Sequence, residues 1–180
     1  MCNTFDTVPY DASHTALASA FSCGNKIIDQ FLRDSKAFDI SYGKTYVWLT
    51  DNKDAIIGYY NIGVGYIEQC IDGKYQKIGG SAHINYFALD KAFHRRLIYH
   101  SEDDDRNVYM ADRLLNDCIL RIEDIRKNHI GYSFITLCST ERGHRLYCRN
   151  DFCELEDDMK FSQDETENQC YLMYFPLDYE

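Results

Sequence analysis

Cysteine and histidine are the residue types in this sequence that could do chemistry directly, and four of them lie close together late in the chain. They are Cys138, His144, Cys148 and Cys153. Zinc ligands usually come in C-x-x-C or H-x-x-x-H spacing, which these four lack. A thiol near a histidine can act as a nucleophile, but a thiol in an apolar run such as ITLC is usually inert packing. We therefore predict no metal site and no nucleophile at Cys138, and interpret the 8 cysteines as buried free thiols.

Charge is distributed unevenly along the chain. Residues 1–100 carry ten basic and ten acidic side chains, whereas residues 101–180 carry nine and nineteen, so the second part supplies the whole net charge of −10. An acidic field repels phosphate backbones and favours cationic partners. Nucleic acid is therefore a disfavoured partner.

The composition is typical of a folded domain. The chain has 180 residues, of which 45% are hydrophobic, 14% are aromatic and only 2 are proline. No apolar run approaches the roughly 20 residues that span a bilayer, and the N-terminus lacks a basic start followed by an apolar signal core. We expect one domain over residues 1–180, located in the cytoplasm and without membrane contact.

The elements that would position a site follow from apolar periodicity. Helical spacing after Asn25 predicts an N-capped helix, and β-branched and aromatic runs from Lys44 to Cys70 predict two neighbouring strands. Asp72-Gly73 is typical either of a hairpin or of an ordinary surface loop. The run AHINYFAL predicts a third long strand.

The second half of the chain predicts a parallel connection. Residues 94–109 are expected to form a polar loop. The helix that follows, up to Gly131, has an apolar face of Ala111, Leu114, Leu115, Cys118, Ile122 and Ile125, and a polar face of Asp112, Arg113, Asp117 and Arg121. YSFITLC predicts a buried strand, residues 140–149 a short helix, and CYLMYFP a last strand. A strand, loop, helix and strand in succession predict parallel pairing, so the fold class is an α/β fold with a mixed, twisted sheet.

The order of these elements and four sequence phrases resemble the GNAT superfamily of acetyl-CoA-dependent N-acetyltransferases over nearly the whole chain. FSCGNKIIDQFL resembles the FDCG-type opening of one bacterial branch, IIGYYNIG its third strand, INYFALDKAFH its fourth, and LYCRNDF its closing helix-to-strand phrase. The last two phrases are the most specific. The resemblance implies the GNAT fold and direct transfer of acetyl from acetyl-CoA to a primary amine in one ternary complex.

The resemblance also implies roles for individual residues. Main-chain groups of Phe87, Ala88 and Leu89 would hold the pantetheine arm and polarise the acetyl carbonyl, and Tyr147 would protonate the departing CoA thiolate. The sequence does not identify a single base that would deprotonate the acceptor amine. Glu68, after the third strand, and His83, at the start of the fourth, are candidates, but we expect both to be exposed strand-end residues.

The CoA pyrophosphate would lie at the N-terminus of the helix that begins near Tyr109. The family's Q/R-x-x-G-x-G/A loop is absent, because FHRRLIYHSEDDDRNVYMADRLL contains no glycine. Compensation is expected from Arg95, Arg96 and Arg106, and from the main-chain amides of Asn107, Val108, Tyr109 and Met110 at the helix start. The alternative is a solvated loop with surface arginines.

The sequence is consistent with two functions, an acetyltransferase and a binding module. The branch with the FDCG-type opening includes toxins that acetylate aminoacyl-tRNA, but the acidic charge favours a polyamine, an aminoglycoside-like molecule or a protein amine as acceptor, with tRNA not excluded. The alternative is a non-catalytic GNAT-like binding module that has lost CoA affinity with its glycines and binds a protein partner. A homodimer is an expectation by analogy with the family.

Overall fold

The computed structural model describes residues 5–102, 105–161 and 170–177. Asp103 and Asp104, the middle of the acidic run predicted to be solvated, lie outside these residues. The described helices are α1 (Thr15–Ala20), α2 (Lys26–Arg33), α3 (Met110–Asn128) and α4 (Glu141–Cys148). The described strands are β1 (Thr7–Pro9), β2 (Lys44–Leu49), β3 (Ile56–Ile71), β4 (Lys74–Leu89), β5 (Leu97–Ser101), β6 (Arg106–Tyr109), β7 (Phe134–Ser139), β8 (Cys153–Glu154), β9 (Met159–Phe161) and β10 (Tyr171–Pro176).

The strands form a mixed sheet, as predicted from the sequence. Their order is β1-β2-β3-β4-β7-β10-β8, and β9 pairs with β3. β4 and β7 are parallel, whereas β1 with β2, β7 with β10, β10 with β8 and β3 with β9 are antiparallel. Asp72 and Gly73 connect β3 to β4 with φ angles of 52° and 75°. Two positive φ angles are what a type I′ hairpin turn requires, so the hairpin interpretation is confirmed.

Contacts divide the chain into two compact units. The first consists of the described residues up to Asn61 together with Tyr86–Arg121, and the second of Ile62–Asn85 together with the described residues from Ile122 onward. The long strands β3 and β4 and helix α3 contribute residues to both units. Each unit has its own packing, described in turn below.

The core of the first unit is built from α1, α2 and the first strands. Asn25 caps α2 as predicted, because its side-chain oxygen accepts from the Ile27 N–H at 3.0 Å and the Ile28 N–H at 3.4 Å. The apolar face of α2 then buries Phe31 and Leu32. The Phe31 ring stacks on that of Tyr86 with centroids 3.8 Å apart. Helix α1, which the sequence analysis did not predict, contributes the fully buried Ala18 to the same cluster.

Helix α3 runs from Met110 to Asn128, close to the predicted bounds, but its polar face was only partly predicted. Leu114, Leu115, Cys118 and Ile122 are fully buried as expected. Asp112 and Asp117, expected on the solvent face, are also buried. A buried carboxylate is tolerated where hydrogen bonds satisfy it, and both have such partners: Asp112 binds the Tyr109 N–H, and Asp117 binds β1.

The second unit contains the parallel pairing and a disulfide. β4 and β7 pair from Ser81–Phe134 to Ile84–Leu137, which confirms the parallel pairing predicted for this segment. On the other side of β7, a disulfide joins Cys138 to Cys170. The prediction that the cysteines are buried free thiols is wrong for this pair, and also for Cys148 and Cys153, which are exposed. Among the described cysteines, Cys118 is free and buried as predicted, and Cys23 and Cys70 are free and half-buried, whereas Cys2 lies outside the described residues.

The segment that was expected to be a polar loop contains two strands. Within residues 94–109, β5 and β6 form a separate two-stranded antiparallel sheet. No helix in the described part of the chain is long and apolar enough to cross a membrane.

Candidate functional site

Tyr147 lies near the C-terminal end of α4, in the second unit, and its ring is held by packing. Thr140 caps the helix by accepting from the Gly143 N–H at 3.3 Å, so the predicted short helix is confirmed. The Tyr147 side chain is 6% exposed. Its ring meets the Phe152 ring edge-on at 5.6 Å. Its carbonyl accepts from the Asn150 and Phe152 N–H groups at 3.0 and 3.1 Å, which fixes the turn after the helix.

The main chain at Gly143 lies close to the Tyr147 ring. A Cβ at this position would lie 3.0 Å from Ser139 Oγ and 3.4 Å from Tyr147 Cε2. The second distance is an ordinary van der Waals contact, while the first is tighter than most real contacts. The Tyr147 ring therefore lies between Phe152 and the main chain at Gly143, which leaves little space around it.

The residues expected to hold the pantetheine arm lie at the end of β4, in the first unit. Ala88 and Leu89 are 5% and 6% exposed, and Phe87 is half-buried. The parallel ladder of β4 with β7 ends at Ile84 among the described residues, whereas β4 itself goes on to Leu89. The last five residues of β4 therefore continue beyond that ladder.

The connection from β4 to α3 replaces the glycine-containing loop of the family. A short 3-10 turn at Lys91–Phe93 leads to Arg95, which has a φ of 56°. The Arg96 guanidinium lies 5.7 Å from the centre of the Phe93 ring. Both arginines are exposed. The Arg96 carbonyl accepts from the Met110 N–H at 3.0 Å, which attaches this turn to the start of α3.

The amides expected at the helix start are arranged differently from the prediction. Asn107, Val108 and Tyr109 belong to strand β6, where they pair with His100, Tyr99 and Leu97. These three residues therefore form a strand immediately before the helix, where the sequence predicted a loop, and of the four residues only Met110 lies in α3. The Tyr109 N–H donates to Asp112 Oδ2 at 2.9 Å. This carboxylate accepts the hydrogen bond of a main-chain N–H at the start of the helix, as a capping-box residue does, and so stabilises α3. Its negative charge also lies at the positive end of the helix dipole, where a phosphate would otherwise bind.

A cleft of about 570 Å³ opens beside this connection within the first unit. Phe93, Arg96, Met110 and Arg113 line it together with Trp48. Arg113 is engaged already, because its Nε and Nη2 lie 2.6 and 2.8 Å from the carboxylate oxygens of Asp6. This pairing raises the pKa of Arg113. Arg113 was predicted on the polar face of the helix, and no pattern in the sequence indicates that Trp48 lies near it.

The two candidate bases occupy positions other than those predicted. Glu68 lies inside the long strand β3, opposite Lys160 of β9, whose ammonium is 3.1 Å from its carboxylate. His83 lies in the middle of β4 and is 2% exposed. Its Nδ1 is 2.8 Å from Thr136 Oγ1, and its ring meets Phe161 edge-on. Neither residue is at an exposed strand end, and a histidine buried in this way is a structural group.

The group of late cysteines and His144 does not form a metal site in the described residues, where no three His, Cys, Asp or Glu side chains are arranged to hold an ion. Cys138 cannot be a nucleophile while it is bonded to Cys170. His144 instead contacts Cys148 and Glu154. The carboxylate of Glu154 was not identified from the sequence, because it follows the helix by a turn whose path the residue types do not reveal.

No protein-family model matches the chain, and no curated protein is similar to it in sequence. Solved structures are similar in fold. A structure described as a bacterial toxin has a TM-score of 0.68 at 16% identity, over 94% of this chain and 89% of the toxin. A mutant of the toxin KacT with one tyrosine changed to phenylalanine gives 0.67 at 16% identity, covering 94% of this chain and 93% of KacT. The toxin AtaT in complex with acetyl-methionyl-tRNAfMet gives 0.64 at 16% identity, again over 94% and 93%.

Two further AtaT structures are also similar in fold. One is bound to the C-terminus of the antitoxin AtaR and to acetyl-CoA, and the other is AtaTR bound with acetyl-CoA. Both are similar to this chain over more than nine-tenths of each length. The mixed sheet, its order and these neighbours agree with the resemblance found in the sequence, and the chain therefore has the GNAT fold.

Proposed function

We propose that this chain is an N-acetyltransferase that moves an acetyl group from acetyl-CoA to a primary amine by direct transfer, with residues 1–180 acting as one domain. The observation that carries the proposal is Tyr147, a closely packed phenol on α4, in a chain with the fold of acetyl-CoA-bound toxins. Forms of both AtaT and KacT with a single tyrosine replaced by phenylalanine are among the similar structures.

Acetyl-CoA supplies the acetyl thioester, and the protein has to orient it and supply a proton. When the amine nitrogen bonds to the acetyl carbon, the carbon–sulfur bond breaks and the CoA sulfur leaves as a thiolate. The Tyr147 hydroxyl donates its proton to that sulfur, and the proton that the nitrogen loses on forming the amide is passed through water to the tyrosinate. A phenol suits this role because it keeps its proton at neutral pH until a stronger base, such as a forming thiolate, comes within hydrogen-bond reach.

The end of β4 is proposed to hold the pantetheine arm. A strand that continues past its ladder can offer N–H and C=O groups to the amides of a ligand, much as it would to an added strand. Phe87, Ala88 and Leu89 occupy this segment, and the burial of Ala88 and Leu89 keeps its backbone in one conformation. The supporting observation is that the ladder ends at Ile84 while β4 does not.

Phosphate binding is proposed to depend on side chains more than on backbone amides. Arg95 and Arg96 are exposed on the turn that is bonded to the start of α3. Guanidinium groups bind phosphate oxygens through paired, charge-assisted hydrogen bonds. Asn107, Val108, Tyr109 and Met110 remain in the proposed site as the segment that fixes where α3 begins, since the amides of Tyr109 and Met110 already have partners.

Two acceptor classes have specific support. The net charge of −10 favours a cationic small molecule or a protein amine. The fold similarity to AtaT in complex with acetyl-methionyl-tRNAfMet favours the amine of an aminoacyl-tRNA. Within the second unit, Lys77 lies 5.2 Å from the Tyr66 ring centre and Lys160 lies 3.9 Å from that of Tyr75, an arrangement of cations and aromatic rings that suits RNA.

The first experiment is calorimetric titration of the full chain with acetyl-CoA, followed by a transfer assay with radiolabelled acetyl-CoA. Polyamines and aminoacyl-tRNA would be offered as separate acceptors. Tyr147→Phe should bind acetyl-CoA as the wild type does, because the ring is retained, and should lower kcat by about 10²-fold, the usual contribution of a general acid. Tyr132→Phe, a change of another tyrosine in the same unit, serves as the matched control.

Each outcome has a distinct meaning. Binding with transfer to only one acceptor class identifies the substrate. Equal kcat for Tyr147→Phe and wild type would remove Tyr147 from the mechanism. If the folded chain does not bind acetyl-CoA at millimolar concentration, the enzyme proposal is wrong, and the non-catalytic module becomes the better explanation.

A further inference from the structure

A thiol, an imidazole and a carboxylate meet at the C-terminal end of α4, and the proposed acetyl transfer uses none of them. Cys148 and His144 are four residues apart and so lie on one face of the helix. The Cys148 Sγ is 3.4 Å from His144 Nε2 and 3.7 Å from His144 Nδ1. The same Nε2 is 2.7 Å from Glu154 Oε1 on β8. All three residues belong to the second unit.

These distances assign a role to each ring nitrogen of His144. Glu154 accepts the Nε2 proton, which leaves Nδ1 as the nitrogen with a free electron pair for the thiol proton. The carboxylate also stabilises the imidazolium that forms when the ring takes that proton. The ring cannot turn easily, because the Tyr171 ring lies 4.3 Å from it, centre to centre. The Cys148 sulfur is within hydrogen-bond distance of both ring nitrogens, so Nδ1 can take the thiol proton while Glu154 holds Nε2.

We propose that Cys148 is a site of thiol–disulfide exchange with low-molecular-weight disulfides, with His144 as its base and Glu154 as the residue that orients His144. The Cys148 thiol proton passes to His144, and the thiolate attacks one sulfur of the disulfide. A new bond joins Cys148 to that sulfur while the bond within the small disulfide breaks. The departing thiolate takes up the proton, so Cys148 is oxidised and half of the small disulfide is reduced to a thiol.

The exposure of Cys148 allows a small disulfide to reach it, and its position at the end of α4 explains why the exchange needs His144. The Cys148 thiol is exposed, so a small disulfide can reach it. Cys148 is the last residue of α4. The C-terminal end of a helix carries partial negative charge, which disfavours a thiolate. A base and then a positive charge are therefore needed at this position, and His144 supplies them in turn: the neutral ring takes the thiol proton, and the imidazolium that results carries the positive charge.

Two other cysteines of this chain provide internal comparisons. Cys153 is also exposed, but it makes no hydrogen bond to a histidine among the described residues. Cys118 is fully buried on α3. Exposure alone therefore predicts equal reaction at Cys148 and Cys153, whereas the proposed base predicts a difference between them. Cys118 reports on folding, because it becomes reactive only if the protein opens.

The test is to incubate the full chain with glutathione disulfide, stop the reaction with acid at intervals, and follow the mixed disulfide at each cysteine by peptide mass. We expect the adduct at Cys148 to form about tenfold faster than that at Cys153, the low end of what a positioned base contributes. His144→Asn should slow Cys148 to the rate of Cys153. Glu154→Gln should slow it less, since the base remains.

The readout is a mass, so it is independent of whether the chain transfers acetyl. Unreacted Cys118 in every variant would show that the fold persists, and Glu154→Gln provides the second test if His144→Asn opens the structure. Equal rates at Cys148 and Cys153 in the wild type would overturn the proposal. So would an unchanged Cys148 rate in folded His144→Asn.

Discussion

Cys23, which immediately precedes the Gly24-Asn25 entry to α2, shows how burial changes the chemistry of a single side chain. Burial and the neighbouring Asp29 raise the pKa of this thiol to about 12, from an ordinary value of 9.0. The Asp29 carboxylate accepts from the Cys23 N–H at 2.7 Å, so its negative charge is fixed close to the thiol. The folded state therefore holds the thiol in its neutral form over a wider pH range than the unfolded state does.

The raised pKa of the Cys23 thiol makes the folded state less stable at high pH. Below about pH 9 the thiol is protonated in both states, so its contribution to stability is fully present; it is lost as the pH rises toward about 12. We expect the free energy of unfolding, measured in urea, to fall between about pH 9 and 12. Cys23→Ser removes the titrating thiol, so the difference between wild type and variant should shrink over this range. A constant difference would contradict the prediction.

The sequence predicted single residues well where a local pattern defines them, and less well where a partner distant in sequence does. Asn25 and Tyr147 lie in short motifs with their neighbours, and their element positions are as predicted. Asp117 is surrounded by residues about 110 and 57 positions away. His83 was placed at a strand start because the strand was predicted from the run AHINYFAL alone, whereas β4 already begins at Lys74. No local pattern reveals such long-range partners.

At the scale of elements, Asp117 attaches strand β1 to helix α3 within the first unit. Its Oδ1 accepts from the Asp6 N–H at 2.7 Å and the Thr7 N–H at 3.3 Å. Its Oδ2 accepts from Thr7 Oγ1 and from the Tyr60 hydroxyl, each at 2.7 Å. Burial raises the pKa of Tyr60, so the hydroxyl remains a donor. One carboxylate therefore satisfies four donors, which belong to β1, to the residue before it and to β3.

Asp117→Ala should lower the free energy of unfolding by about 3 kcal/mol, because it leaves buried donors without an acceptor. Asp124→Ala is the matched control on the same helix. Asp124 is half-buried and accepts mainly from Asn128, one turn away, so its loss should cost less than about 1 kcal/mol. Chemical denaturation of both variants measures the comparison. Similar losses for the two would show that the buried carboxylate does not hold β1.

The close approach of β3 to β4 in the first unit requires glycine at position 58. A Cβ there would lie 2.8 Å from the Ala88 carbonyl oxygen, 2.8 Å from Leu114 Cδ2 and 3.0 Å from Leu89 Cδ1. The first contact is with backbone, which cannot move away without displacing the strand. Gly58 therefore sets the position of the same β4 segment that is proposed to hold the pantetheine arm.

Gly58→Ala should destabilise the fold by about 1–3 kcal/mol, as other overpacked sites do. Gly131→Ala is the control, because a Cβ at Gly131 meets nothing within 4 Å and its φ is not in the left-handed region. That change should be neutral or stabilising by up to about 1 kcal/mol. Thermal melting distinguishes the two. An unaltered melting midpoint for Gly58→Ala would mean that β4 is not tightly placed at Ala88.

Element prediction was limited where the apolar pattern is weak. Residues 94–109 were predicted to be a polar loop, because acids interrupt the segment and it contains no long apolar run. It forms β5 and β6 instead, whose apolar side chains are largely exposed, as shown by Leu97 at 50% and Tyr99 at 57%. A strand without a buried face has no alternation for sequence analysis to detect.

At the scale of the whole molecule, the net charge and the proposed phosphate ligand oppose each other. The fold was predictable because the order of helices and strands and four phrases agreed at once, and that agreement does not depend on charge. The net charge of −10 creates a repulsive field for a polyphosphate such as acetyl-CoA, whereas Arg95 and Arg96 attract it at short range. Salt affects these two contributions differently.

Screening reduces interactions between charges farther apart than the Debye length, about 8 Å at physiological ionic strength, and affects direct contacts less. Long-range repulsion should therefore weaken first, and the Kd for acetyl-CoA should fall as salt rises from about 0.01 to 0.15 M. Arg96→Ala should raise Kd at every salt concentration and keep the same trend. Acetyl-pantetheine, which has no nucleotide phosphates, is the control and should bind with a Kd that salt does not change. A Kd for acetyl-CoA that rises over this range would show that the local arginines, and not the acidic surface, control the approach of the ligand.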